Sequence, residues 1–410
     1  MLQKLSNKIL LVTSADSLGK NLAELCEVLR TVVKEAAGGI FLLPQQPARL
    51  AADGATGQPY PLGNPEFGTG ADLSRITAKY YLMLDCRADA ETAGMPEERK
   101  RLRGELRSLS EAGAVLAHID ASGFGPVGME PAGNDPEMNR LNLLEMLSVC
   151  REFLYGTDTE IVPEIHDTYF TQLGLAARGF RTFSGALPLL LLHAMYTGES
   201  TYLRDWMKIC PHRQFTGLDP EKGIFTADAR HLLPDEKITQ TAEQLLRNCP
   251  VSRELSEKSA ASPYSWHRLN CTLYSALAED DQKYLCARAI QFFAPGIPAV
   301  TCEGLLAGKN DPVVISPSTR GGKLSRHTYS LEDVLRESER PVVKRLLKLM
   351  TFRCNWPAFD GTFSVEDGGG SSLDCGWSNG NFRASLHADL STGQFRIFTA
   401  DSYTQSELSV

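Results

Sequence analysis

Ala114-Val-Leu-Ala-His-Ile-Asp120 is an apolar run that closes on a carboxylate. It does not alternate polar with apolar residues, so it reads as a strand buried on both faces, as in a parallel sheet covered by helices. Working outward, runs of the same kind recur upstream at Tyr81–Leu84, Gly39–Leu43 and Ile9–Val12. Downstream they return at Glu160–Glu164, Arg181–Ser184, Gln214–Leu218 and Ala299–Thr301. Amphipathic stretches such as Ala23–Ala36, Glu97–Ala112 and Pro136–Tyr155 lie between them. Strand alternating with helix predicts βα units. Eight such units fit a closed (β/α)8 TIM barrel of class α/β better than a doubly wound sheet. The first strand is followed by no G-x-G-x-x-G opening a helix, which also disfavours a dinucleotide fold.

Past Arg340-Pro341 the pattern changes. One helix is predicted over Val342–Phe352. Strand-like segments then follow at Phe359–Val365, Leu373–Trp377, Arg383–Leu390 and Gln394–Phe398, broken by turns such as Gly368–Gly370. The expectation is a barrel over 1–353 and a small C-terminal antiparallel β-domain over 354–410. The Gly/Pro-rich stretch Gly54–Gly70 reads as a loop, and no internal repeat is visible.

Composition excludes several classes. The 410 residues are 42% hydrophobic and 22% charged, enough for a sizeable core and too apolar for global disorder. Lys plus Arg is 42 against 50 Asp plus Glu, a net charge of −8, which argues against nucleic acid or an anionic membrane as partner. No apolar run approaches the roughly 18 residues a bilayer requires; the longest, Ala186–Ala194, is about half that. Lys4 and Lys8 are followed only by Ile9–Val12, too short for a secretory leader. The ten cysteines form no C-x-x-C pair, so most are expected reduced in a core. The expectation is a cytoplasmic protein that binds no metal or cofactor.

In a TIM barrel the reactive groups lie at the C-terminal ends of the strands. Those ends carry Asp85, Asp120, Glu164 and Asp219. His118 and Asp120 are two apart and share one side of their strand; Glu164 and His166 stand in the same relation. Two carboxylates on neighbouring strands are what retaining glycoside chemistry requires, one ionised to attack the anomeric carbon and one protonated to donate to the leaving oxygen. Acidic residues at strand ends also serve as helix caps, so spacing alone leaves both readings open.

Longer strings add to this. Ala186-Leu-Pro-Leu-Leu-Leu-Leu-His193-Ala194, Ala289-Ile-Gln-Phe-Phe-Ala-Pro-Gly-Ile-Pro298, Leu306-Ala-Gly-Lys-Asn-Asp311, Arg326-His327, Arg340-Pro-Val-Val-Lys344 and Ala358-Phe-Asp-Gly-Thr-Phe363 resemble sucrose phosphorylase and its relatives in the α-amylase clan, glycoside hydrolase family 13. The resemblance runs from Asn7 to about Phe398. It implies that Asp120 is the nucleophile, Glu164 the general acid/base, Asp85 a strand-three aspartate and Arg326 an arginine lining the sugar pocket. It also implies a small-molecule carbohydrate as ligand, with phosphate as acceptor; a sugar phosphate is the alternative ligand, and a homodimer is a separate expectation for the assembly.

The departures from the family pattern are equally specific. His118 stands where the family has an arginine that orients the nucleophile. Glu221-Lys222 aligns with the strand-seven His-Asp pair, so a lysine replaces the aspartate that stabilises the oxocarbenium-like state. Asp89-Ala90 replaces the Asn-His that helps hold glucose, and Tyr60-Pro61-Leu62-Gly63 stands nearest to a missing sugar-gripping segment. The lid insertion after strand three is reduced or absent. His267-Arg268 replaces a Tyr-Gln on a mobile loop; with Lys222 and Arg87 this predicts new positive charge near the mouth. Trp266 is the aromatic expected to stack on a sugar, and His166 a further sugar contact. Three functions follow as expectations: retaining α-glucosyl transfer through Asp120 and Glu164, a sugar-binding or regulatory protein that has lost the chemistry, or an enzyme turned toward an anionic sugar.

Overall fold

The computed structural model describes residues 3–44, 67–87, 95–121, 124, 136–220, 222–256, 258, 266–310 and 327–410. Eight parallel strands close into a barrel: β1 (Leu10–Ser14), β2 (Gly39–Leu43), β3 (Tyr81–Arg87), β4 (Leu116–Asp120), β5 (Glu160–Glu164), β6 (Thr182–Ser184), β7 (Gln214–Gly217) and, after a short hairpin of β8 (Ile224–Phe225) with β9 (Arg268–Leu269), β10 (Ile297–Thr301). β1 pairs with both β2 and β10, which closes the cylinder.

Side chains alternate along each strand, and the two resulting sets build two cores. Leu10, Val12, Phe41, Leu43, Tyr81, Met83, Leu116, Val162 and Phe215 point inward and fill the cylinder. The opposite set, including Leu11, Ile40, Leu82, Ala117 and Ile161, packs outward beneath the helices. This double burial is why the strands read as continuous apolar runs. The helix Ala186–Thr197 is buried from Ala186 through Met195, which explains its nearly unbroken Leu run. Between β3 and β4 the described residues form the barrel helix Pro96–Glu111.

The C-terminal unit is an antiparallel sheet of β11 (Thr362–Val365), β12 (Ser372–Asn379), β13 (Phe382–Asp389), β14 (Gln394–Ala400) and β15 (Gln405–Glu407), in that order. The strand expected from Phe359 starts later. Pro357, with its fixed φ and no donor, opens a 3-10 turn over Pro357–Asp360 instead. The preceding helix, Pro341–Asn355, extends past the boundary expected at 353/354. The sheet docks on the barrel through Trp377, whose Nε1 donates to Phe293 O at 2.7 Å. Buried Arg353 donates to Phe292 O and Asn7 O, both at 2.8 Å, joining the last long helix to the start of the chain. Among the described residues no helix is long and apolar enough to cross a membrane.

Candidate active site

Continuing the inward set of side chains toward the C-terminal strand ends brings Asp85, His118, Asp120 and Glu164 into the mouth. Register then decides who faces whom: Asp85 lies opposite His118, and Asp120 opposite Glu164. These residues, with Phe41, Phe183, Asp219, Lys222 and Thr301, line a cavity of about 100 Å³.

Lys222 dominates its electrostatics. Its Nζ lies 2.8 Å from Asp120 Oδ2 and 2.9 Å from Glu164 Oε2. One ammonium thus bridges both carboxylates, and the two oxygens can be no more than about 6 Å apart. The turn that delivers Lys222 depends on Gly223, at φ +87, where a Cβ would stand 2.4 Å from Asn270 Oδ1 and 2.8 Å from Leu269 O. Immediately after it, β8 zips onto β9 and fixes the direction of approach. Burial pulls the Lys222 amine down, but Glu164 and Asp120 outweigh it and raise its pKa, so it stays charged. Burial pushes Glu164 up, yet Lys222 and His118 hold its carboxyl well below the usual range. Glu164 is therefore ionised at neutral pH.

His118 is buried between two carboxylates. Its Nδ1 is 2.6 Å from Asp85 Oδ1, and its Nε2 is 3.2 Å from Glu164 Oε2. Burial pulls the imidazolium down, and the contacts with Asp85 and Glu164 reverse this and raise its pKa to about 9. His118 therefore carries positive charge at neutral pH, like the arginine expected at its position. Its nitrogens face Asp85 and Glu164, and its ring packs 4.9 Å from that of Phe41 and edge-on to Phe183 at 6.1 Å.

His166 lies just past β5. Its Nδ1 is 2.8 Å from Asp228 Oδ2 and its Nε2 is 3.6 Å from Glu164 Oε1, while its ring stacks on Phe225 at 3.8 Å. Burial pulls this imidazole down and Asp228 raises it above its ordinary value. Asp228 escaped the sequence reading because Thr-Ala-Asp-Ala lies off any strand end; only the fold brings it under Gly185. Asp219, read as a strand-end carboxylate, is buried and paired with Arg288, and it accepts from Leu273 N at 2.8 Å. Arg288 is fully buried and had no signal in spacing.

The structure does not bring every expected residue to the mouth. Trp266 is buried against the helix Asp235–Asn248, with Nε1 donating to Glu243 Oε1 at 2.8 Å, and it does not line the cavity. The reason is that its flat ring covers helix surface and leaves a polar atom for Glu243 to satisfy. His267 and Arg268 do not line the cavity and pack around the Phe225 ring, at 5.4 Å edge-on and 5.9 Å respectively. Among the described side chains, the positive charge at the mouth is that of Lys222 and His118, both committed to carboxylates. Arg326, the 60–63 segment and Asp89-Ala90 lie outside the described residues, as does the side chain of Arg87.

No family model matches the chain. Comparison with known proteins finds glucosylglycerol phosphorylase of Marinobacter adhaerens, 29% identical, with 98% of each chain covered. Sucrose phosphorylase of Streptococcus mutans is 31% identical over 88% of this chain and 90% of its own. Among solved structures, sucrose 6F-phosphate phosphorylase from Thermoanaerobacter thermosaccharolyticum superposes with a TM-score of 0.84 at 25% identity, covering 100% of this chain and 99% of that one.

Proposed function

The chain belongs to the sucrose phosphorylase family of the α-amylase clan, and within that family we propose a member that holds a sugar in its barrel mouth without running the retaining transfer in its resting arrangement. The observation that carries this is the Lys222 ammonium set between Asp120 and Glu164. Retaining transfer assigns opposite protonation states to its two carboxyls. A shared ammonium favours ionisation of both, which leaves Glu164 no proton to give. The reaction also builds positive charge on the anomeric carbon. An ammonium at about 4 Å in place of a carboxylate opposes that charge by on the order of 4 kcal/mol at an effective dielectric of 20. That is about a thousandfold in rate before the lost attraction is counted.

The acidic lining disfavours an anionic sugar, because Asp85, Asp120 and Glu164 face the cavity while Lys222 and His118, the cations beside them among the described residues, are already engaged. A neutral, glucose-type sugar fits the hydroxyl-binding capacity of such carboxylates better.

One observation favours a second reading. Carboxylate oxygens held within about 6 Å are compatible with the roughly 5–5.5 Å spacing of retaining sites. In that reading substrate displaces Lys222, Asp120 attacks the anomeric carbon, Glu164 protonates the leaving oxygen, and phosphate or water releases the sugar from Asp120.

The test pairs calorimetric binding of glucose and sucrose with phosphorolysis assays on the native protein, Lys222→Asp and Asp120→Asn. We expect the native protein to bind sugar without turnover, and Lys222→Asp to gain turnover. Native turnover that Asp120→Asn abolishes would overturn the proposal and establish the second reading.

A further inference from the structure

The ten cysteines carry free thiols. Two of them, 22 positions apart in sequence, meet beside the hairpin that delivers Lys222. Cys249 caps the helix Asp235–Asn248, and Cys271 follows β9. Asn310 holds them together: its Nδ2 lies 2.8 Å from Cys249 Sγ and 3.6 Å from Cys271 Sγ. The amide is itself fixed, since its Oδ1 accepts from Thr272 N at 2.8 Å and its backbone N–H donates to Ser275 Oγ at 3.0 Å.

The two thiols sit in unlike environments. Cys249 Sγ accepts from Asn310 Nδ2 and from Ser252 Oγ at 3.2 Å, and the Cys271 thiol also bonds to it. Donors of this kind stabilise a thiolate, and they hold Cys249 below the ordinary thiol range, the Cys271 contact foremost. Cys271 is kept protonated by burial and by its neighbour. A thiolate in contact with a protonated partner thiol is the arrangement of a peroxide-reactive cysteine with its resolving cysteine.

We propose that Cys249 and Cys271 form a reversible disulfide on exposure to a peroxide. The Cys249 thiolate attacks one peroxide oxygen, the O–O bond breaks, and hydroxide leaves and takes up a proton as water. Cys271 then loses its proton and attacks the sulfur of the Cys249 sulfenic acid. The S–S bond forms, the S–O bond breaks, and a second water leaves. Two thiols are oxidised by two electrons, and one hydrogen peroxide is reduced to two waters. A dithiol reductant restores the thiols by exchange. The bond would tie the end of the helix Asp235–Asn248 to β9, and through β9 to the strand that follows Lys222.

The experiment treats the folded protein with hydrogen peroxide and reads intact mass, thiol count and proteolytic peptides. We expect the mass to fall by two hydrogens, two of the ten thiols to disappear, and one cross-linked peptide joining 249 to 271 that dithiothreitol reverses. Cys271→Ser is expected to stop at a Cys249 sulfenic acid trapped by dimedone, and Cys249→Ser to give neither product. In the native protein, independent of any variant, Cys249, which is buried but keeps 6% of its surface exposed, should alkylate at neutral pH several-fold faster than Cys86 and Cys286, which keep none. Equal alkylation rates, or a cross-link between another pair, would overturn the proposal.

Discussion

At His118 one imidazole carries a measurable share of the stability of the site. Its folded pKa of about 9 lies above the ordinary value of 6.5. A raised value means that the contribution is complete below pH 6.5 and declines as pH rises through about 9. The shift corresponds to at most about 3 kcal/mol. Urea denaturation of the native protein and His118→Asn between pH 6 and pH 9.5 should therefore give curves that converge as pH rises; parallel curves would exclude a charged His118. The catalytic-type carboxylates were legible in the sequence because they stand at strand ends, where parity and register leave them little choice. The destination of Lys222 was not. Its position could be aligned, but contact with both Asp120 and Glu164 depends on side-chain reach and on the Gly223 turn. Trp266 was placed at the mouth for want of any local sign that Glu243 would take its indole N–H.

Among the elements, the eight barrel strands announced themselves, the three-residue β6 included, and the short strands outside the barrel did not. β8, β9 and β15 span two or three residues each, too few for any period to register. Yet the β8–β9 hairpin governs the site, since it points Lys222 inward. The helix Asp281–Phe293 has a comparable role on the other side. Its Arg288 pairs with Asp219, and its Gln291 Nε2 donates to Thr216 O and Ala299 O, both at 2.8 Å, tying β7 to β10. Arg288→Met leaves the Asp219 carboxylate buried and unpaired, so we expect a loss of about 3–5 kcal/mol in chemical denaturation. Arg288→Met combined with Asp219→Leu should recover a large part of it. A double variant as unstable as the sum of both changes would show that packing, and not the orphaned charge, sets the cost.

For the whole molecule, barrel and sheet share side chains across their boundary. Trp377 is buried, its indole N–H engages the barrel helix, and Phe359 packs against Phe293 with ring centroids 5.2 Å apart. The two units are therefore expected to unfold together in one calorimetric transition. Trp377→Ala should lower stability by about 3–5 kcal/mol. If the native protein instead melts in two separated steps, the shared contacts contribute little to cooperativity. At this scale the strand–helix alternation is legible in the sequence because it follows from periodicity and length alone.

The bridge made by Lys222 also sets how tightly anything else can sit there. Because it is tethered to the chain, it competes with a guest at a local concentration that dilution cannot lower. An incoming sugar must displace it, and the affinity observed is the intrinsic affinity reduced by the fraction of time the mouth stands vacant. Lys222→Ala removes this resident competitor, so calorimetry should find tighter sugar uptake in a variant that has gained no contact with the sugar at all.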